Sequence, residues 1–361
     1  MRLAWVEIRD FRNHADTALE VPAGLTAAVG PNAQGKTNLL EAMYYLCALD
    51  SPRVSSDLPL VRSGASSAFL RGEAASSSGR YLVEVEVRGE GQNRVQVNRS
   101  PVRRRRDLRR HVRAVFSGPE DLAVVQGDPD QRRRFLDEAV RGLWPLKEGA
   151  GPAYEKVLRQ RNRLLKDWDG PGPPPGLEAW DEELVRAGAE VTILRRGAAE
   201  ALGPLAGEEF RALSGEPLDV RYEPSVVPDP GEELEEAFRR RLVERRADEL
   251  VRRTTLVGPH RDELRLVVQG LVARRFASHG ETWGAALCLR LGLARAIGAE
   301  AGEAPVLFLD DPFSGLDPER RARVGATLAA RGQVLLAVPD DAQVPGEATV
   351  WRVKEGGVVV E

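Results

Sequence analysis

Residues 30–37 read Gly30-Pro31-Asn32-Ala33-Gln34-Gly35-Lys36-Thr37, two glycines separated by four residues and followed at once by a lysine and a threonine. A turn of this kind can cradle a polyphosphate. Its backbone N–H groups converge on a β-phosphate, and the helix that follows adds the partial positive charge of its N-terminus. Lys36 would bring a point charge to the β- and γ-phosphates, and Thr37 a hydroxyl to a magnesium ion. A metal held this way also needs a carboxylate from the end of a buried strand. Val306-Leu-Phe-Leu-Asp310-Asp311 offers four apolar residues and then two acids. Asp310 is expected at the metal with Thr37, and Asp311 beside the attacking water, so that Lys36, Asp310 and Asp311 form the expected catalytic set. Gly30 through Asn38 form the expected nucleotide cradle. A second anion site is expected at Ala277-Ser278-His279-Gly280-Glu281, where a hydroxyl residue and a glycine flank the start of a helix. Ser314-Gly315-Leu316-Asp317 then forms a tight turn.

These stations need strands that end in loops and helices that begin there. Leu25 to Val29 is an apolar run that enters the glycine-rich turn directly, and Thr37 to Leu49 spaces Leu40, Met43, Tyr44, Leu46 and Cys47 to bury one helical face. Leu3 to Ile8 and Ala18 to Val21 read as earlier strands. In residues 80–98, Val83, Val85 and Val87 alternate with charged residues, a Gly-Glu-Gly-Gln turn follows, and Val95 and Val97 resume the alternation, which predicts a hairpin. Residues 128–140, 153–166, 177–206 and 232–253 are helical in composition. The Gly- and Pro-rich segment Gly170 to Gly176 interrupts them. Strands return at 264–268, 306–309, 334–338 and 350–360. The expected fold is α/β: a P-loop ATPase head with a mixed sheet, helices and an antiparallel β subdomain. Residues 1–118 and 251–361 would form the head, and 119–250 an inserted, mainly helical lobe.

The chain has 361 residues, 42% hydrophobic and 30% charged, a globular composition that excludes a disordered chain. The formal charge of −3 argues, as a total, against general adhesion to polyanions. Its distribution is uneven. Arg99 to Arg113 holds eight arginines against one aspartate, including Arg103, Arg104, Arg105, Arg106, Arg109 and Arg110, while Asp229 to Glu249 is acid-rich. Guanidinium groups bridge phosphate oxygens without reading bases, so this run is the expected DNA contact. No aromatic residue is interleaved there, which favours duplex backbone over stacked single strands. Cys47 and Cys288 are too few for a disulfide framework, no apolar run of membrane-spanning length exists, and no signal peptide is evident, so the cytoplasm is the expected location and no membrane partner is expected. His14 and His111 lack partners at ligand spacing, so no metal beyond Mg²⁺ is expected.

Together, the order and spacing of these segments resemble the ABC-type ATPase head of the SMC class. Finer features resemble one family, the DNA replication and repair protein RecF. They are FRNH (Phe11 to His14), GPNAQGKTNLLEAMYYL, FSGPEDLAVVQGDPDQRRRFLD (Phe116 to Asp137), GPHRDEL (Gly258 to Leu264) and ASHGE. This resemblance runs from end to end. It implies ATP and Mg²⁺ as cofactors and a homodimer closed by ATP, the P-loop of one chain facing the signature helix of the other. Lys36, Thr37 and Asp310 would act in cis, Ser278 and Gly280 in trans at the γ-phosphate, and Asp317 across the interface. Arg12 and Asn13 would reach the nucleotide from the first strand turn. Recombinational DNA repair is likewise implied, on double-stranded and gapped DNA, with RecR and RecO as partners in loading the RecA recombinase.

The chain departs from the related pattern in three places. His279 and Glu281 stand where related signatures carry glutamines, and a carboxylate there repels a γ-phosphate unless it points away. Asp311 replaces a catalytic glutamate that is one methylene longer. Pro339-Asp340-Asp341 follows the last core strand in place of a histidine. Slow hydrolysis, suited to a switch, is expected. For the loop residue that senses Mg²⁺, Gln126 is nearest and Glu120 is the other candidate. The GPHRDEL stretch is expected to support the head, near the nucleotide. An ATPase subunit of a membrane transporter shares the head motifs, but the long helical block between Lys36 and Ser278 disfavours it.

Overall fold

All five residues of Leu25–Val29 are buried. A strand that is apolar on both faces is stable only when both are covered, and this one lies inside a six-stranded sheet. The computed structural model describes residues 1–54 and 56–361. The sheet runs Gly357–Val360, Thr349–Lys354, Leu25–Val29, Val334–Val338, Val306–Asp310, Ala114–Ser117. Its first pair is antiparallel and the rest are parallel. Side chains alternate between two cores: Phe308 and Leu335 face one, Leu307, Leu309 and Leu336 the other.

The second six-stranded sheet is antiparallel throughout, in the order His14–Glu20, Arg2–Phe11, Ser67–Ser76, Gly79–Arg88, Arg94–Val97, Ser100–Pro101. It contains the hairpin expected at 80–98. The P-loop helix Lys36–Ala48 is packed between the two sheets, its Leu39, Met43 and Leu46 sharing a core with Val6, Leu70 and Val85 on one side and Phe308 and Trp351 on the other. Sequence spacing predicts one buried face for this helix. Nearly all of it is buried, because each sheet covers a face.

Helices Pro129–Leu143, Leu177–Ser214 and His279–Ala301 cover the other side of the parallel sheet, with Leu136, Leu202, Phe210, Leu287 and Leu291 in the same core as Leu307 and Leu336. Leu177–Ser214 continues through Pro204, beyond the end expected near residue 206. An internal proline costs about 3 kcal/mol. Ala206, Phe210 and Leu213 beyond it are all buried, and burying a Phe or Leu side chain returns roughly 1.5–3 kcal/mol each, so continuing the helix is favoured. Gly215, in the left-handed region at φ 81°, ends it.

The far half of that helix belongs to a separate core, where Leu184 and Val185 meet Tyr154 of Ala150–Asp167 and Phe238 and Leu242 of Leu234–Arg252. Arg161, fully buried, sits there and donates to Asp181 (2.8 Å), Thr255 (2.7 Å) and Glu249 (2.6 Å). A three-stranded sheet, Leu271–Val272, Glu263–Val268, Leu218–Glu223, completes the fold. Among the described residues, no helix is long and apolar enough to cross a membrane.

Candidate active site

Between Leu25–Val29 and its helix the chain passes through two left-handed residues, Ala33 (φ 65°) and Gly35 (φ 113°). A Cβ on Gly35 would stand 2.6 Å from Asn13 Nδ2, so this position demands glycine for both its backbone and its space. Asn13 braces the loop: its Nδ2 donates to Gln34 O (3.1 Å) and its Oδ1 accepts from Asn38 Nδ2 (2.8 Å). On the other side the turn Glu355-Gly356 does the same. Glu355 N donates to Gln34 Oε1 (2.8 Å) and Gly356 N to Gln34 O (2.9 Å). Two turns far apart in sequence thus hold one loop.

Lys36 is 8% exposed, and its Nζ donates to Gly30 O (2.6 Å) and Pro31 O (2.8 Å). Burial lowers its pKa, against the opposing charges of Asp310 and Asp311. Thr37 Oγ1 lies 2.9 Å from both oxygens of Asp310 and donates to them. Burial pushes the Asp310 carboxyl up to about 6, and that hydroxyl is its hydrogen-bonding partner. A buried carboxylate and a hydroxyl in direct contact are hard oxygen donors that fit Mg²⁺. Asp311 follows with φ 51°, its carboxyl also raised by burial while Lys36 opposes the shift.

These groups open into a 490 Å³ cavity lined by Asn13, Asn32, Ala33, Gly35, Lys36, Thr37, Asn38, Asp310 and Asp311, with Arg53 and Pro119 beside them. Gly30, Pro31 and Gln34 do not line it. Arg12 is not among the lining residues: its Nε and Nη2 each donate to the buried Glu41 at 2.9 Å. Arg53, which sequence reasoning missed, occupies the wall instead, with Nη1 donating to Asn38 Oδ1 (3.1 Å) and Glu41 Oε2 (3.3 Å) and Nε 3.6 Å from Glu120 Oε1. No pattern in Asp50-Ser-Pro-Arg53 sets it apart. Of the two loop candidates, Glu120 is near the metal pair, its charge adding to the raised pKa of Asp310. Gln126 is elsewhere, donating to Thr282 Oγ1 on the signature helix (2.9 Å).

Ser278 and Gly280 do not line this cavity. Ser278 caps the helix His279–Ala301, and Thr282 Oγ1 donates back to its carbonyl (2.8 Å). Glu281 does not point away; its carboxylate folds onto Ser278. Asp317 caps Pro318–Ala329, accepting from Arg320 N at 2.9 Å. The GPHRDEL stretch is not at the nucleotide cavity either. It ties the head to the helical region through His260, whose Nδ1 is 2.6 Å from Tyr154 OH, and through Asp262, which accepts from Tyr222 OH and Ser225 N.

The arginine-rich run is less free than its count suggests. Arg103 and Arg104 are exposed and, among the described residues, their side chains have no protein partner; the Arg106 side chain also has none. Arg110 Nε donates to His111 Nε2 (2.9 Å). Arg105 pairs with Asp50 (2.8 Å), and Arg109 with Glu148 (3.0 Å) and the Ala48 carbonyl (2.7 Å).

A family model described as "AAA domain, putative AbiEii toxin, Type IV TA system" matches residues 25–337. The "DNA replication and repair protein RecF" of Streptomyces avermitilis is 44% identical over 374 residues, covering 99% of each chain. The chain belongs to the RecF family. A solved structure of the recombination mediator protein RecF with ATP, in the RecFOR pathway, superposes on this RecF-family chain with a TM-score of 0.89, at 29% identity, covering 99% of this chain and 97% of the other. The Smc head domain of Pyrococcus furiosus follows with a TM-score of 0.56 at 15% identity, covering 99% and 95%, a likeness of fold alone. The architecture is that of an ABC-type ATPase head carrying an inserted helical lobe. Nothing in these comparisons favours a transporter subunit.

Proposed function

We propose that this RecF-family chain is an ATP-dependent DNA-binding protein of recombinational repair, in which ATP closes a homodimer on gapped or junction DNA and slow hydrolysis resets it. One observation carries the dimer: the cavity gathers Lys36, Thr37, Asp310 and Asp311, whereas Ser278 and Gly280, the second anion station, stand outside it. One chain therefore has two incomplete half-sites, and a second copy completes both. Lys36 exchanges its carbonyl partners for the β- and γ-phosphates, the P-loop N–H groups hold the β-phosphate, and Asn13 and Asn38 keep the loop in register. Thr37 and Asp310 would hold Mg²⁺, which when bound neutralises phosphate charge. Asp311 lies near Lys36, where it can orient water and accept its proton, with Arg53 on the wall and Glu120 paired to Arg53. With residues 119–250 as the inserted lobe, the exposed guanidinium groups of Arg103 and Arg104 contact duplex phosphates, Arg106 and Arg110 add to them, and Arg105 and Arg109 hold the run in place. RecR and RecO are the partners for recombinase loading, as the RecFOR relative suggests.

The test is sedimentation with and without ATP and Mg²⁺, followed by nucleotide-dependent binding to blunt, gapped and single-stranded DNA. A monomer that becomes a dimer with ATP, and then binds gapped DNA more tightly, is expected. Unchanged mass in both states refutes the gated dimer.

A further inference from the structure

Ser278 offers two donors at the start of the signature helix, and both are already taken. Its N–H and its hydroxyl donate to the same oxygen of Glu281, Oε2, at 2.8 and 2.7 Å. The hydroxyl oxygen accepts the Glu281 N–H in return (3.3 Å), and Glu281 Oε1 accepts from Gln269 Nε2 (3.2 Å). An internal anion therefore occupies the donors that, in the ATP-closed dimer, receive the γ-phosphate of the partner chain's nucleotide. Two anions cannot share them, and like charges placed together in a closing interface are strongly repelled.

A cation stands beside Gly280, and its charge is felt at this carboxylate. A guanidinium nitrogen of Arg320 lies 3.7 Å from where a Cβ on Gly280 would be, and its Nε is only loosely engaged, 3.4 Å from Asp317 Oδ2. Hydrogen bonds from Ser278, and then the charge of Arg320, hold the Glu281 carboxyl below its usual range. Gly315 packs so closely on Trp283 that a Cβ there would stand 2.8 Å from Cδ1, so the turn leading to Asp317 and Arg320 is seated on the signature helix.

We propose that Glu281 is an internal surrogate for the γ-phosphate, and that Arg320 receives its carboxylate when the partner's nucleotide displaces it, so that the pair sets the ATP concentration at which the dimer closes. This rests on the trans reading of Ser278. The experiment is an ATP titration of dimerisation by analytical ultracentrifugation, with Mg²⁺, on the full chain and on E281Q, R320Q, the double variant and S278R. Glu281→Gln keeps an oxygen acceptor for the cap and removes the charge. It should lower the half-maximal ATP concentration about tenfold or more. Arg320→Gln should raise it several-fold when Glu281 is present and change it less than about twofold beside Glu281→Gln. An E281Q midpoint equal to or above that of the unaltered chain, or equal effects of R320Q in both backgrounds, overturns the proposal. Failure of the unaltered chain to dimerise, or normal dimerisation of S278R, removes the trans reading and this inference with it.

Discussion

Protonation of His260 should loosen the joint between the head and the helical region. Its Nε2 lies 3.0 Å from the Thr255 carbonyl, which can only accept, so Nε2 carries the proton and Nδ1 accepts from Tyr154 OH at 2.6 Å. Both contacts are satisfied by the neutral ring. Burial is the main cause that lowers its pKa from 6.5 to about 4, with the charges of Arg261 and Arg133 adding to it and Thr255 and Asp262 opposing. Because the folded value is the lower one, the unfolded chain takes up a proton that the folded chain refuses. The stability due to His260 is therefore complete above pH 6.5 and drains as pH falls towards about 4. At about 1.4 kcal/mol per pH unit, the loss is capped at roughly 3 kcal/mol, and roughly 2 kcal/mol is gone by about pH 5. Urea unfolding of the unaltered chain and of His260→Gln, at about pH 7 and about pH 5, isolates this contribution because other groups titrate alike in both proteins. The unaltered chain should lose roughly 2 kcal/mol more than the variant between those conditions. Equal losses would refute the reasoning.

Three more outcomes can be checked. Replacing Arg103 and Arg104 together with alanine should weaken duplex binding and reduce the slope of log affinity against log salt by roughly 2, measured by fluorescence anisotropy across a salt series. An unchanged slope would place the DNA contact elsewhere. Arg161→Met should destabilise the helical region by about 3–5 kcal/mol in urea unfolding, because it strands the fully buried Glu249, and Glu249→Gln added to it should recover part of that loss. A single-variant loss under about 1 kcal/mol contradicts the network's role. Gly35→Ala should abolish tight ATP binding in an equilibrium assay, since its φ of 113° and the closeness of Asn13 leave no room for a side chain.

The parts of this site that lie within one strand, loop and helix are legible in the sequence alone. Leu25 to Thr37 and Val306 to Asp311 carry their geometry in local pattern: an apolar run ending in two acids is common by itself, and it becomes informative only beside the complete GPNAQGKT turn. Long-range pairing is what periodicity cannot show. The place of Arg12 in FRNH points to the nucleotide, but its partner Glu41 lies on the P-loop helix and captures it bidentately. Arg53 and Glu120 come from separate loops and meet only in the fold. Asp50 and Glu148 neutralise two arginines of a run whose composition suggests that all are free. Glu281 is readable as a charge out of place, and Ser278-x-x-Glu281 is also the spacing of a capping box, a signal of its return to Ser278 that sequence reasoning missed.

The bracing of Gln34 by Glu355 and Gly356 also bears on how the chain is made. The P-loop emerges early in synthesis, while the turn that holds it, and the Thr349–Lys354 strand that pairs with Leu25–Val29, emerge after nearly every other element. Until residue 356 has emerged, the P-loop therefore lacks the two bonds that hold Gln34 from that side. Once the turn closes, a ligand at about a hundred times its Kd adds about 2.7 kcal/mol to the stability of the finished fold.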